Sequence, residues 1–444
     1  MSHKQVVMAG TDTRDLTKLA EYEAVGGYAS LAKARTLGPE QITNELMASE
    51  LRGRGGAFFP TGRKWSFVPS PEQNPNPHYL VINADESEPG SFKDNEIISR
   101  VPHRFIEGCL ITAHAVLAKH VYVYIRGEYL GPYEILVAAL EELKERPDLR
   151  GDVTIVVHRG AGAYICGEET ALLDSLEGKR GQPRTKPPFP AIAGLYASPT
   201  VVNNVETIAT VPAIVEMGGA EYAKLGVPNS RGTRLISVSG HVERGGNYEV
   251  EPGISLKDLI FAPELGGGVP GGRAVKAVIP GGSSTVILTG DELDVGYDFD
   301  SLLAKNTAMG SAGVIVLDER VCMVQLGIRV SEFYEHESCG KCTPCREGTR
   351  WMTQILRKLE AGEATERELD LLLSVCDRIN GKCLCPLGDT AAMAIASYVA
   401  KFRDEFVAHL DGGACPCGDH SPLDGVLAPV AQHIHDHASE LVPA

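Results

Sequence analysis

Three closely spaced cysteines are the residues of this chain best suited to chemistry. Cys339, Cys342 and Cys345 stand at Cys-x-x-Cys-x-x-Cys spacing, with a glycine and a proline in the turns between them. This spacing directs soft, anionic thiolates at one centre, as an iron–sulfur cluster requires. Three thiolates leave a [4Fe–4S] cluster one ligand short. The candidate fourth ligand is Cys385, which a proline follows, and Cys383 is the alternative.

Zinc or disulfide bonds could also account for such a cysteine pattern. Structural zinc sites usually show two separated Cys-x-x-Cys or Cys/His pairs, whereas the first group here has three cysteines. Disulfide frameworks are typical of short secreted chains. This chain has 444 residues and 11 cysteines, and it begins with neither a secretory signal nor a transit peptide, so we expect a reducing compartment. The pattern favours a cluster, which by itself indicates electron transfer.

The end of the chain carries a second group of possible ligands. They are Cys415, Cys417, His420, His433, His435 and His437. Such a Cys/His-rich stretch could bind a metal. We favour the interpretation of a flexible tail over residues 412–444.

Two glycine-rich loops are suited to a phosphate-bearing ligand. Residues 53–65 contain four glycines and several basic side chains, so backbone N–H groups can approach an anion closely. This loop matches no standard nucleotide motif, and a flexible surface loop is an equal alternative. Residues 160–169 form a second glycine-rich turn between a predicted strand and a helix, which is typical of phosphate or dinucleotide sites.

Polar residues follow the apolar strand predicted at Tyr79–Ile82. Asn83–Glu86 come directly after it, and open parallel sheets bind ligands at the carboxyl ends of their strands. The alternative is a solvated acidic loop. Asn203 and Asn204 could bind the polar edge of a ring, or cap a helix.

The composition disfavours several kinds of partner. The net charge of −16 makes nucleic acid and anionic membrane surfaces poor partners. The apolar stretch Leu110–Ile125 is interrupted by His114, Lys119 and His120, so we predict no membrane span. Any work at a membrane would then depend on partner proteins.

Alternating strands and helices predict an α/β domain with a parallel sheet covered on both faces. Short strands and one helix then indicate a small α+β module, and the last part of the chain is helical. We predict an N-terminal arm and helix at 1–50, an α/β domain at 51–232, the α+β module at 233–325, a helical cluster domain at 326–411 and the tail at 412–444.

Taken together and in order, these motifs closely resemble those of the flavin-bearing, NADH-oxidising subunit of respiratory complex I. That family shares its design with the diaphorase subunits of NAD-linked hydrogenases and formate dehydrogenases. The resemblance covers about residues 50–410. The stretches that carry it are Gly53–Trp65, Asn83–Asp94, Gly160–Glu169, Lys186–Pro190, Val202–Thr207 and Glu337–Arg346.

The resemblance implies a Rossmann-like FMN-binding domain, a ubiquitin-like (soluble-ligand-binding) module and a C-terminal helical bundle carrying a [4Fe–4S] cluster. The implied FMN residues are Gly53, Arg54, Gly55, Lys64, Asn83, Asp85, Glu86, Gly167, Glu168, Asn203 and Asn204. The implied cluster ligands are Cys339, Cys342, Cys345 and Cys385, in preference to Cys383.

NADH is the implied substrate. Its rings would stack on Phe59, Phe67 and Phe189, with Glu88, Glu169 and Lys186 as polar contacts. An acidic Glu169 near the adenine ribose would disfavour the 2′-phosphate of NADPH. No catalytic side chain is expected, because the flavin itself accepts the hydride and the protein orients the reactants.

The implied function is electron input to complex I: hydride transfer from NADH to FMN, then single electrons to the cluster and on towards quinone. The implied partners are a small [2Fe–2S] thioredoxin-like subunit and a large iron–sulfur subunit, on the cytoplasmic side of the cell membrane. The alternatives are a diaphorase of an NAD-linked hydrogenase, formate dehydrogenase or electron-bifurcating complex, and an electron-relay subunit that has lost its flavin.

One residue departs from the family pattern. Phe58 stands where that pattern, Gly-Arg-Gly-Gly-Ala-Gly-Phe-Pro, has a glycine. A side chain there makes a positive φ costly and places a ring at the flavin loop. The hypothesis is that Phe58 alters nicotinamide access or flavin retention.

Overall fold

The computed structural model describes residues 4–418 and 421–423. The chain divides into two units. The first contains the described residues up to Arg273 together with Val278–Val316. The second contains Ala274–Ala277 and the described residues from Leu317 onward.

The helices and strands of the described residues follow in chain order. Helices α1–α14 span Leu19–Ala24, Ala29–Thr36, Pro39–Ala48, Thr61–Trp65, Lys93–Arg100, Pro102–Ala115, Leu130–Glu142, Pro147–Arg150, Glu169–Leu176, Pro190–Ala193, Val205–Met217, Gly219–Tyr222, Leu256–Phe261 and Phe299–Ala304. Helices α15–α19 span Met323–Glu337, Thr343–Glu360, Glu366–Ile379, Pro386–Lys401 and Arg403–Ala408. Strands β1–β11 span His78–Ala84, Ala118–Ile125, Thr154–Arg159, Thr200–Asn204, Gly226–Val227, Ser230–Arg231, Arg234–Gly240, Gly246–Val250, Val275–Ile279, Leu288–Thr289 and Gly313–Asp318.

A four-stranded parallel sheet is the centre of the first unit. Its strand order is β3-β2-β1-β4. β1 lies inside the sheet, and its residues Leu80, Val81 and Ile82 are fully buried, which explains the continuous apolar run. In the register of β1 with β4, Asn83 lies opposite Asn204. The predicted parallel α/β sheet is confirmed.

The N-terminal residues pack more closely than an arm would. Val6, Val7, Met8 and Leu16 belong to the hydrophobic core of the first unit. The backbone N–H groups of Val6, Val7 and Met8 all donate to the carboxylate of Glu249, at 2.8–2.9 Å. The stretch up to Ala48 forms three helices, so it is an integral part of this unit.

A second, mixed sheet has the strand order β10-β9-β11-β7-β8. β7 lies parallel to β11 and antiparallel to β8. This is the predicted α+β module, and its mixed sheet agrees with the short strands expected from the sequence.

The second unit is mainly helical. Helix α15 packs against α16 and α18, and α17 packs against α16 and α18. The stripe Met352, Ile355, Leu356 and Leu359 of α16 is buried, as an amphipathic helix requires. No helix in the described part of the chain is both long enough and apolar enough to span a bilayer.

Candidate functional site

The carboxyl edge of β1 and β4 carries the three asparagines that are predicted to bind FMN, and Asn83 lies opposite Asn204 there. The amide of Asn83 donates to the carbonyl of Gly167 at 2.7 Å, which joins the end of β1 to the second glycine-rich loop. The side-chain oxygen of Asn203 accepts from the indole N–H of Trp65 at 2.9 Å. These contacts fix the loops that surround the edge of the sheet.

Asn204 takes the capping role, one of the two roles that the sequence left open. Its side-chain oxygen accepts from the backbone N–H of Glu206 at 2.9 Å, so it caps α11. Its side-chain nitrogen donates to Asp94 at 2.6 Å. The cap orients the amide, and the amide lies beside the first glycine-rich loop: a Cβ at Gly55 would be 3.2 Å from that of Asn204.

The side chain of Arg54 is buried and forms hydrogen bonds within the first unit. Its guanidinium is 1% exposed and donates to the carbonyls of Arg231 and Thr233 at 2.7 and 2.9 Å. Its backbone N–H donates to the hydroxyl of Thr207 at 2.8 Å. Arg54 therefore anchors the glycine-rich loop, and in this geometry its charge does not face an open cavity.

Lys64, Glu169 and Lys186 form a charged group at the N-terminus of α9. The amine of Lys64 lies 3.6 Å from the carboxylate of Glu169, and that of Lys186 lies 2.7 Å from it. Burial opposes ionisation, but Lys64 and Lys186 outweigh it and hold the pKa of Glu169 below its usual value. Glu169 is thus an anion held between two cations.

The predicted ligand Glu168 caps α9. Its carboxylate accepts from the backbone N–H groups of Thr170 and Ala171 at 2.8 and 3.0 Å. Lys186 also reaches it, at 3.2 Å. Glu168 thereby fixes the turn that presents Gly167 and Glu169.

The predicted ligand Glu86 caps a different helix. Its carboxylate accepts from the backbone N–H groups of Asp94 and Asn95, both at 2.9 Å, and from the hydroxyls of Ser91 and Tyr129 at 3.1 and 3.0 Å. Burial, with the nearby Asp94 charge, raises the pKa of Glu86 to about 7. Glu86 therefore holds the start of α5 against the end of β1.

The aromatic residues predicted for NADH are accessible. Phe59 and Phe67 are 40% and 47% exposed, and their ring centroids lie 6.1 Å apart. Phe189 is 59% exposed and follows two cis X-Pro peptide bonds. Glu88, predicted as a polar contact of NADH, already has partners within the protein. Its oxygens accept from the hydroxyl of Tyr164 at 2.6 Å and from the backbone N–H of Ser284 at 2.8 Å.

Phe58 has a strained backbone and a buried ring. Its φ is +54°, so the position does require the left-handed conformation that glycine adopts easily. The ring is 6% exposed and packs on Phe299, with centroids 5.3 Å apart, while the guanidinium of Arg234 lies 4.7 Å from its centroid. The side chain points into the core of this unit.

A buried ion network supports the site, and the sequence reasoning did not single it out. The amine of Lys93 lies 2.8 Å from both Asp94 and Glu206, and all three residues are at most 4% exposed. Asp94 in turn binds Asn204. The only signal in the sequence was the Lys-Asp pair within the stretch 83–94, which is typical of an ordinary helix start.

The predicted cluster cysteines lie at the N-termini of two helices. The loop that carries Cys339, Cys342 and Cys345 is called the cluster loop below. Cys342 is the N-cap of α16 and Cys345 lies in its first turn, while Cys385 is the N-cap of α18. Helix N-termini stabilise thiolates. Burial, and the neighbouring Cys342 and Cys339, raise the pKa of the Cys345 thiol to about 11. A cationic centre would therefore favour the ionised form of these neighbouring thiols.

Cys383 also lies in this region. Its sulfur is 3.6 Å from the carbonyl oxygen of Ile379 and in hydrogen-bond contact with Cys342. A Cβ at Gly388 would come within 2.5 Å of the same sulfur. Cys383 and Cys385 are both partly buried, and Cys385 is the N-cap of α18.

The residues fit both groups that the resemblance implies. Side chains at Gly55 and Gly167 would meet Asn204 and the Asp85 carbonyl at 3.2 and 3.4 Å, so the glycines keep space beside the amide donors. Cys339, Cys342 and Cys345 lie in one short loop, where Cys345 neighbours the other two, and thiols are the soft donors of an iron–sulfur cluster. His420, His433, His435 and His437 of the Cys/His tail lie outside the described residues.

Comparisons with known proteins agree with this arrangement. The family model for the Nuo51 FMN-binding domain matches residues 46–213, and that for the NADH-ubiquinone oxidoreductase-F iron-sulfur binding region matches residues 326–409. The chain is 51% identical to the F 2 subunit of NADH-quinone oxidoreductase from Rhizobium meliloti (strain 1021), over 93% of this chain and 99% of that protein. It is 47% identical to the F subunit of NADH-quinone oxidoreductase from Mycobacterium bovis, over 93% of each.

A solved structure is also similar. It is an NAD+-reducing [NiFe]-hydrogenase in the H2-reduced state, with a TM-score of 0.80 and 32% sequence identity, covering 100% of this chain and 71% of that one.

These findings define a flavin- and cluster-bearing oxidoreductase. The chain belongs to the family of the F subunits of NADH-quinone oxidoreductase. The predicted NADH oxidation through FMN and a [4Fe–4S] region, as in the electron-input subunit of complex I, is confirmed at the level of the family.

Proposed function

We propose that residues at the carboxyl edge of β1 and β4 bind FMN and present it to NADH. The observation that carries this proposal is that Asn83, Asn203 and Asn204 lie at the carboxyl ends of adjacent strands, with Asn83 and Asn204 in contact with the two glycine-rich loops. Bound there, FMN would supply the chemistry: it takes a hydride from NADH and passes electrons on singly. The asparagines offer donors and acceptors to a polar ring edge, and the glycines admit a phosphate.

Among the charged residues predicted to bind FMN, some are proposed to act on FMN directly and others by holding the loops in place. Lys64, at the end of the first glycine-rich loop, supplies a positive charge. Glu86 and Glu168 act by holding the starts of α5 and α9, which position the two loops. Arg54 acts in the same indirect way. No side chain is assigned as a general base, because hydride transfer needs orientation and exclusion of competing reactions.

NADH binding is proposed at the exposed rings. Phe59, Phe67 and Phe189 offer faces for stacking, and such aromatic contacts favour planar rings. Glu169 and Lys186 are placed at the N-terminus of α9, where the negative Glu169 would repel a 2′-phosphate. Glu88 contributes by holding its loop, since its oxygens are already hydrogen-bonded.

The cluster ligands proposed are Cys339, Cys342, Cys345 and Cys385. The N-cap position of Cys385 supports this choice. Electrons would leave through the cluster towards quinone by way of a small [2Fe–2S] thioredoxin-like subunit and a large iron–sulfur subunit. Those partners would hold the chain at the cytoplasmic face of the cell membrane.

The finer domain assignments are part of the same proposal. The 51–232 domain is proposed to be Rossmann-like and 233–325 to be ubiquitin-like. The strand order of the mixed sheet supports the latter: its first and last strands in the chain, β7 and β11, are parallel neighbours, flanked by β8 and β9.

A diaphorase of an NAD-linked hydrogenase is the second candidate. The similarity to the NAD+-reducing hydrogenase structure favours it. The two candidates share the NADH site and differ in the electron acceptor. Co-purification separates them, because one predicts a quinone-reducing membrane assembly and the other a hydrogenase catalytic subunit.

An anaerobic NADH titration of the purified chain tests the proposal. Optical spectra report flavin reduction, and electron paramagnetic resonance reports the cluster. We expect flavin bleaching together with the signal of a reduced [4Fe–4S] centre. A cluster signal with dithionite but none with NADH, in protein that lacks flavin, would contradict it and indicate a relay subunit.

A further inference from the structure

Cys322, His409 and Cys415 form a second group of metal-binding side chains, separate from the cluster loop. Their ligand atoms, two sulfurs and one ring nitrogen, all lie within 4.8 Å of one another. Cys322 and His409 are 0% and 1% exposed. Thiolates and an imidazole at such separations are the donor set of a tetrahedral zinc site.

The histidine is oriented as a ligand. Its Nε2 faces the sulfur of Cys322 at 3.5 Å. Its Nδ1 lies 3.6 Å from the carboxylate of Glu360. Both Nδ1 and that carboxylate oxygen are buried without a hydrogen-bond partner among the described residues. A small approach would let Nδ1–H donate to Glu360 and leave Nε2 as an acceptor for a metal, as zinc-bound histidines require.

The thiols have supporting contacts as well. Cys322 is the N-cap of α15, and the backbone N–H of Gln325 donates to its sulfur. Gln325 also donates to the other oxygen of Glu360 at 2.8 Å, so the two outer contacts are joined. A helix N-terminus and an N–H group both stabilise a thiolate.

Cys417 extends the group. It belongs to the same Cys-Pro-Cys turn as Cys415, and the two thiols are in hydrogen-bond contact. The amine of Lys276 lies 3.6 Å from its sulfur. Three thiolates and one imidazole around a divalent cation leave one negative charge, and Lys276, which also pairs with Glu405, is a cation beside it.

We propose that Cys322, His409, Cys415 and Cys417 bind one zinc ion, with Glu360 as the partner of His409. Each coordinating thiol gives up its proton to solvent as the metal binds. The ion fastens the turn that contains Cys415 and Cys417 to the start of α15. The cluster loop follows the other end of α15, 15 residues away or about 22 Å, so the two centres are distinct.

Metal analysis of the full-length chain tests the proposal, with zinc and iron measured on protein purified anaerobically. We expect about one zinc ion per chain in addition to about four irons of the cluster. Cys415→Ser and His409→Ala should lose the zinc and keep the iron. Cys339→Ser should lose iron and keep the zinc, which separates this site from zinc misplaced in the cluster loop.

Cys376→Ser is the matched control, because this buried thiol of the same unit contacts Met352 and lies outside both groups; it should keep both metals. Cobalt substitution gives a second readout: tetrahedral thiolate absorption should be present in the parent and altered in His409→Ala. Parent protein without zinc, or Cys415→Ser with full zinc content, would overturn the proposal. If Cys322→Ser does not fold, the Cys415 variant decides, since its iron content reports folding.

Discussion

At the scale of single residues, we expect nucleotide selection to depend on Glu169. It is an anion flanked by Lys64 and Lys186 at 3.6 and 2.7 Å. Replacing it by glutamine removes the negative charge, so that Lys64 and Lys186 can pair with a 2′-phosphate, although Lys186 keeps its contact with Glu168 at 3.2 Å. We expect Glu169→Gln to raise kcat/KM for NADPH relative to NADH about tenfold, or about 1.4 kcal/mol.

Steady-state kinetics with both nucleotides measure this ratio. Glu177→Gln is the control, since Glu177 pairs with Lys179 and Arg184 in another ion group. An unchanged ratio in Glu169→Gln would place the adenine ribose elsewhere.

We expect Phe58 to affect the stability of the fold more than the oxidation of NADH. Phe58→Gly relieves a left-handed backbone, worth about 1–2 kcal/mol, but removes a buried aromatic ring, worth about 3–5 kcal/mol. We expect a net destabilisation of about 2 kcal/mol, seen as a lower Tm. FMN content and the KM for NADH should change less than twofold.

Phe58→Leu is the matched variant, because it keeps apolar contact and the strained backbone. Normal Tm together with altered flavin retention in Phe58→Gly would support a direct effect of Phe58 on the site instead.

At the scale of elements, Glu86 makes the start of α5 sensitive to pH. Its folded pKa, about 7, lies above the usual value of 4.5. A carboxyl group with a raised folded pKa stabilises most at low pH, and that contribution is lost as the pH rises from about 4.5 through 7. The substitution Glu86→Gln removes some of the hydrogen bonds that Glu86 accepts, and it also removes this dependence of stability on pH.

The Tm deficit of Glu86→Gln should therefore be larger at pH 5.5 than at pH 8. Thermal unfolding at both values measures it, with Glu21→Gln, at a half-exposed residue paired with Arg14, as a control whose deficit does not change. A deficit that grows towards pH 8 would show that Glu86 is ionised in the fold throughout this range.

The N-termini of α16 and α18 predict which cysteines hold the cluster. Cys385→Ser should lose the iron and the cluster absorption. Cys383→Ser removes a thiol packed against Ile379 and should retain them. Iron analysis of the two variants compares neighbouring cysteines under the same conditions, and the reverse outcome would assign Cys383 as the fourth ligand.

At the scale of the whole molecule, the two chemical tasks belong to different units. The residues proposed for FMN and NADH lie in the first unit, and the cluster cysteines lie in the second. We expect Cys339→Ser to lose the cluster iron while the chain retains FMN and bleaching by NADH. Flavin fluorescence after denaturation, with iron analysis, measures both. Loss of FMN together with iron would mean that the first unit depends on the cluster for its fold.

The sequence by itself determined the features that depend on local spacing. Cys339, Cys342 and Cys345 lie within one short loop, so their grouping follows from the chain alone. The apolar run Tyr79–Ile82 followed by Asn83–Glu86 predicted a buried parallel strand with a polar carboxyl end, because alternation of strands and helices restricts where such a run can lie.

Only the tertiary structure decided which direction side chains take and which distant residues meet. Arg54 and Glu86 have the charges expected of ligands, but buried carbonyls and helix N–H groups need partners and bind them first. Cys322 precedes His409 by 87 residues, so no local pattern joins it to His409 and Cys415. The packing of α15 and α19 brings them together, and long-range contacts of this kind have no period or spacing in the sequence.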